Sequence, residues 1–159
     1  MLNIDKTHGS NHATLHRYLN GRFVSLDVDK LLSVFEPFHG GIVDRDGTVP
    51  LHFPKFSNTY DLRLGSDAVS RRVTLTLDIR LPIHPPEFWY CVHCLMADDF
   101  VALLAPVVNR IYYANPGTPD HAPKFDAESQ LTLSSFMTPI RSVNELIRSF
   151  AIPDNGEQA

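Results

Sequence analysis

The chain carries no surplus of positive charge. Its 14 Lys and Arg stand against 18 Asp and Glu, giving a net charge of −4 and a pI near 6.0. Without a basic field to gather phosphate backbones, nucleic acid is excluded as an expected partner. Long hydrophobic runs are missing too. No stretch reaches the roughly 18 to 20 apolar residues that span a bilayer, and the opening residues MLNIDKTHGSNH hold no apolar signal core. A cytoplasmic chain without membrane contact is expected. Cysteine is scarce, with 2 residues, Cys91 and Cys94. In a reducing compartment these read as free thiols rather than a disulfide framework. A second CxxC that would complete a zinc shell is lacking, as are a GxSxG nucleophile elbow and a Gly-rich phosphate loop. No cofactor is expected.

What is present suffices for one well-filled core: 43% hydrophobic residues, including 10 Phe, 5 Tyr and 1 Trp. A single domain is expected over residues 21–152, between a polar flexible tail at 1–20 and a polar tail at 153–159. Charged residues make up 20%, which fits a surface partly covered by a partner. In the first tail His8, His12 and His16 recur every four residues and would share a helical face. Gly9, Ser10 and Asn11 oppose that helix. Solvated histidines are the first reading, and a metal-binding regulator built on His8, His12 and His16 is an alternative.

From Ser25 the pattern becomes regular. SLDVDKLLSVFEPF predicts a helix with Leu31, Leu32, Val34 and Phe35 together and Ser25 or Asp27 as its cap. Pro37 and Gly40-Gly41 end it, and GIVDRDGTVPLHF reads as strand, turn and strand. DRDG also matches the start of a calcium loop, but position twelve from Asp44 is Lys55, not a glutamate, so the turn is favoured. NTYDLRLG is a short strand. In RRVTLTLDIRLPI, Val73, Leu75, Leu77, Ile79 and Leu81 alternate with Thr74, Thr76, Asp78 and Arg80, giving an antiparallel strand with one wet face.

HPPE is read as a break, after which FWYCVHCLM reads as a further strand holding both cysteines. Asp98 or Asp99 would then cap a helix from Asp99 to Tyr113 through Phe100, Leu103, Leu104, Val107 and Ile111, kinked at Pro106. NPGTPDHAP is a loop, KFDAESQLTLSSFM a hairpin around Glu128-Ser129-Gln130, and RSVNELIRSF a last amphipathic helix capped by Ser142. The class expected is α+β: one antiparallel sheet packed against helices, in the order α-β-β-β-(β)-α-β-β-α.

CVHC has the spacing of a thiol-disulfide oxidoreductase, with Cys91 and Cys94 as the reactive pair. That chemistry needs Cys91 at a helix N-terminus. On a strand the two side chains would face opposite ways, so packing is the first reading and the oxidoreductase an alternative.

The order of elements, with VVNRIYY, PKFDAESQLTLSSF and VNELIRSF, resembles the bacterial YbjN family, related in fold to the type III secretion chaperones. There a helix with an Asn near its end, matched here by Asn109, leads to a hairpin and a last helix. The resemblance implies a non-enzymatic, dimeric module that binds a polypeptide partner in a chaperone-like or regulatory role. On that reading the binding residues are Thr74, Thr76, Asp78 and Arg80, on the wet face or free edge of the strand from Arg71 to Leu81, with Tyr112 and Tyr113 on the helix beside it.

Overall fold

The computed structural model describes residues 12–81, 85–106, 109–126 and 131–150. In chain order its elements are β1 (His12–Leu19), β2 (Arg22–Val24), β3 (Leu26–Asp27), α1 (Val28–Val34), β4 (Thr48–Leu51) and β5 (Tyr60–Arg63). There follow α2 (Ser66–Ser70), β6 (Val73–Thr74), β7 (Thr76–Arg80), α3 (Pro86–Asp98), β8 (Val101–Ala105) and β9 (Arg110–Tyr113). The chain closes with α4 (Thr118–His121), β10 (Phe125–Asp126), β11 (Leu131–Thr132), a 3-10 turn (Leu133–Phe136), β12 (Met137–Pro139) and α5 (Val143–Ser149). The class is α+β, as the sequence predicts. The main sheet runs β12, β9, β8, β1, β7, β5, β4, with β2 folded back on β1. Its pairs are antiparallel except β12 beside β9.

Three expectations are overturned here. The polar tail over 1–20 contains the central strand: β1 pairs with β7 on one side and β8 on the other. Ala13 and Leu15 face the main core, while His12, Thr14, His16 and Tyr18 line the opposite face. Asn20 and Gly21, both with positive φ (52° and 80°), turn the chain into β2, the backbone a two-residue hairpin requires. His8 and the segment 153–159 lie outside the described residues.

FWYCVHCLM is helical rather than extended. Phe88, Trp89, Cys91, Val92, Leu95 and Met96 recur at helical spacing and are buried, while Tyr90 is 62% exposed. Pro86 sits in the first turn, where a missing N–H costs nothing, so the double proline begins a helix instead of breaking a strand.

The expected helix from Asp99 to Tyr113 is a hairpin, β8 paired with β9 from Ala102–Tyr113 to Ala105–Arg110. Pro106 and Asn109 (φ 53°) belong to its turn. Asp98 and Asp99 end α3 rather than cap a following helix. β8 is buried on both faces, so its sequence carries no alternation and imitates a buried helix.

Three smaller readings also change: no strand immediately precedes the DRDG turn, NPGTPDHAP contains the short helix α4, and the strand expected from Arg71 to Leu81 is divided at the exposed Leu75 into β6 and β7. The caps and the turn itself hold. α1 is capped by Asp27, whose carboxylate accepts from the Asp29 and Lys30 N–H groups, and α5 by Ser142. β4 and β5 pair, and DRDG is a turn in which Asp44 accepts from the N–H groups of Asp46 and Thr48. β10 and β11 pair as the flanks of the expected hairpin, whose turn at 127–130 lies outside the described residues.

α1, α3 and α5 contribute Leu31, Phe35, Phe88, Trp89 and Leu146 to the main core beneath one face of the sheet. Trp89 stacks on Phe150 with ring centroids 4.9 Å apart, and Phe88 meets Phe35, Phe53 and Tyr60. The other face has a smaller cluster of Tyr18, Ala102, Ile111, Ala122 and Leu133, which covers it on the β8–β9 side. Over β7 and β5 that face is open and polar.

Because β1 closes the sheet from both sides, a chain that starts at Asn20 is expected to lose cooperative thermal unfolding, with near-ultraviolet circular dichroism as the readout. Retention of a native-like transition would contradict this placement of β1.

Candidate functional site

The polar half of the sheet is organised around a split. β5 and β7 share one residue pair, Arg63 with Asp78. Beyond it the hydroxyl of Tyr60 accepts from the Arg80 N–H at 2.8 Å and donates to the Arg80 carbonyl at 3.3 Å. A side chain thus occupies the ladder position that a neighbouring strand would fill. The Tyr60 ring is anchored edge-on to Phe88, centroids 5.2 Å apart, and burial pushes its phenol up to about 12.

At the split lies a cleft of about 520 Å³ lined by His12, Thr59, Tyr60, Asp61, Arg63, Asp78 and Arg80. A second hollow, about 460 Å³, shares Arg63 and Asp78 and continues past Thr76 to Leu75, Gly65 and Asp46. Both volumes fall in the range of ligand-sized clefts. The charges come from one pattern used twice, Asp61-Leu62-Arg63 on β5 and Asp78-Ile79-Arg80 on β7. In each, the middle residue is buried in the main core and the outer two turn to the open face. Antiparallel pairing sets Arg63 opposite Asp78 and brings Asp61 to the same cleft as Arg80.

Among the described residues these four charges close no ion pair with one another. Ion pairs form elsewhere: Arg17 with Asp99 at 2.8 Å, Lys30 with Asp98 at 3.0 Å, and Arg72 with Asp29. Partial burial pushes the Asp99 carboxyl up, but the Phe100 N–H, Arg17 and Lys30 outweigh it and hold the group below the usual carboxylate range. That cluster borders a hollow of about 270 Å³ between α1 and α3 and ties β1 to both helices.

The residues expected to bind a partner are only partly brought together. Asp78 and Arg80 line the cleft, and Thr76 lines the adjoining hollow. Thr74 is 4% exposed and spends its hydroxyl on the carbonyls of Leu64 (2.7 Å) and Thr76 (2.8 Å). β7 has no free edge, because β1 and β5 flank it. Tyr112 is a core residue against Phe150, and Tyr113 is half-buried on β9, away from the cleft residues. Asp61 and Arg63 were missed, although the repeated Asp-apolar-Arg pattern marks them.

Cys91 and Cys94 are one helical turn apart on α3, so the expectation of opposite faces is corrected with the strand it assumed. Cys91 lies well inside the helix, beyond its first turn, and its thiol is placed to donate to the Val34 carbonyl, 3.5 Å away. Burial, then Cys94 and Glu87, push that thiol up to about 11, opposite to the direction that activates a nucleophile. His12 and His16 share a face of β1 but stand about 13 Å apart at strand rise. Among the described residues no group of three His, Cys, Asp or Glu side chains could hold a metal ion. No described helix is long and apolar enough to cross a membrane.

Compared with family models, curated proteins and solved structures, the chain gives no match.

Two expected outcomes follow from these environments. In native protein at pH 8, an alkylating reagent should label Cys94 first and reach Cys91 only on unfolding; equal rates would contradict the buried, high-pKa thiol. Burial lowers His16 to about 4. The unfolded chain therefore takes up a proton near pH 6.5 that the folded chain refuses until about pH 4. Unfolding free energy should be unaffected by this group above pH 6.5 and fall by up to ~3 kcal/mol toward pH 4. A His16→Phe variant should lose that slope in denaturant titrations, and an unchanged slope would assign it to other groups.

Proposed function

We propose that this chain is a non-enzymatic protein-docking module, chaperone-like or regulatory in role, whose docking surface is the open charged face of β5 and β7. The observation that carries this reading is the set of two guanidiniums and two carboxylates that line a cleft without closing ion pairs to one another. The Tyr60 hydroxyl engages both main-chain groups of Arg80 at the split, so recognition falls to side chains rather than to strand addition. Opposed charges on a firm sheet favour specificity and register over raw affinity, which suits a reversible partner.

The YbjN-family reading agrees with such a role. Its helix–Asn–hairpin order is built differently here, with Asn109 in the turn between β8 and β9. The buried position of Cys91 weighs against the thiol-disulfide alternative.

Peptides selected from a displayed library on sparsely immobilised protein should lose affinity about tenfold or more with Asp78→Ala or Arg80→Ala, at unchanged melting temperature. Their affinity should also fall with added salt. Selected peptides that ignore both substitutions would overturn the assignment of the surface.

A further inference from the structure

This inference rests on the docking reading and names the partner that the surface fits. The four charges form a square of alternating sign. Along β5 the order is Asp61 then Arg63; along β7, which runs the other way, Asp78 stands opposite Arg63 and Arg80 joins Asp61 at the cleft. Neighbours along a strand are about 6.6 Å apart and the paired Arg63 and Asp78 about 5 Å, while the split widens the side between Asp61 and Arg80. A partner surface of one sign gains as much repulsion as attraction over such a square. A second square of the same kind does not: turned over about a two-fold axis in the plane of the sheet, it lays every positive corner on a negative one. This is so whether the axis runs along the strands or across them. The chain itself supplies that second square, and a surface complementary to its own rotated copy is what an isologous dimer requires.

Two further features favour a second copy on this face. Thr74 turns its hydroxyl inward to the Leu64 and Thr76 carbonyls, which breaks the alternation of the strand and leaves Leu75 63% exposed. Leu75 lines the hollow that also holds Arg63 and Asp78, so an apolar side chain borders the charged square. The outer edge of β4 is already engaged: the Gly40 N–H donates to the Pro50 carbonyl, the His52 N–H to the Phe38 carbonyl, and His39 bridges Leu51. Strand addition there is blocked, which leaves the face and not that edge for association.

We propose that the open face of β5 and β7 docks on the same face of a second copy of this chain about an in-plane two-fold axis, pairing Asp61, Arg63, Asp78 and Arg80 with their opposites and covering Leu75. Sedimentation velocity across micromolar to sub-millimolar concentrations reads the association. Arg63→Asp, Asp61→Arg and Asp78→Arg should each weaken it about tenfold or more, since each sets like charges face to face. Leu75→Ser should weaken it too, with the melting temperature kept.

Mixing is decisive, because a merely structural effect of a substitution would not be cured by a second variant. An axis along the strands sets Arg63 on the partner's Asp78, so Arg63→Asp mixed with Asp78→Arg should restore the dimer. An axis across the strands sets Arg63 on the partner's Asp61, so Arg63→Asp mixed with Asp61→Arg should restore it. Either rescue supports the proposal. A wild-type chain that stays monomeric, a dimer indifferent to the single reversals, or failure of both mixtures overturns it. If peptides selected on the immobilised chain still depend on Asp78 and Arg80, self-docking alone has failed; if that dependence is also missing, the docking surface itself is wrong.

Discussion

The structure depends on β1 being hydrogen-bonded on both sides. β7 and β8 each have their own partners, β5 with β4 and β9 with β12, but among the described residues the two halves of the sheet meet only through β1. Its inward residues Ala13 and Leu15 are fully buried, and its end is fastened by the Arg17–Asp99 ion pair to the last turn of α3. The strand therefore fixes the distance between the half that is covered on both faces and the half that is covered on one. The open charged face exists because the second, smaller core stops at β1.

The split beside β7 shows how such a face can be kept open without leaving the backbone unsatisfied. Ladder groups that lack a strand partner in a partly dry place would each cost about 1 to 3 kcal/mol. The phenol of Tyr60 supplies both a donor and an acceptor to Arg80 while its ring belongs to the aromatic cluster around Phe88. One residue thus joins the cleft to the core. The shape of the cleft is set by packing beneath the sheet as much as by the charges above it.

The sequence was legible where one local signal decided the outcome. Asp27 and Ser142 caps, the alternation of Leu77 and Ile79, and the DRDG turn all reached the structure as read. It was illegible where burial on both faces erased periodicity, as in β8, and where a proline pair served a helix start, as at Pro85-Pro86. The central strand was hidden by its own polarity: His12, Thr14 and His16 face away from the main core, so the segment looked like a tail. The Asn20-Gly21 pair that turns it into β2 is a strong hairpin signal and was available. Asp78 and Arg80 were found from alternation alone. Their counterparts Asp61 and Arg63 carry the same Asp-apolar-Arg pattern, but only the pairing of β5 with β7 shows that the two patterns meet at one cleft.

The position of β1 also has a consequence in time. The middle of the sheet comes before its flanks in the chain: β7 and β8 lie about 60 to 90 residues downstream of β1. At a synthesis rate of roughly 5 to 20 residues per second, β1 waits several seconds to many seconds with only its last residues paired, to β2. A strand that must wait while exposed is safer if half of it is polar. The histidine and threonine face that made His12–Leu19 hard to recognise halves the apolar surface that the waiting strand presents to a wrong neighbour.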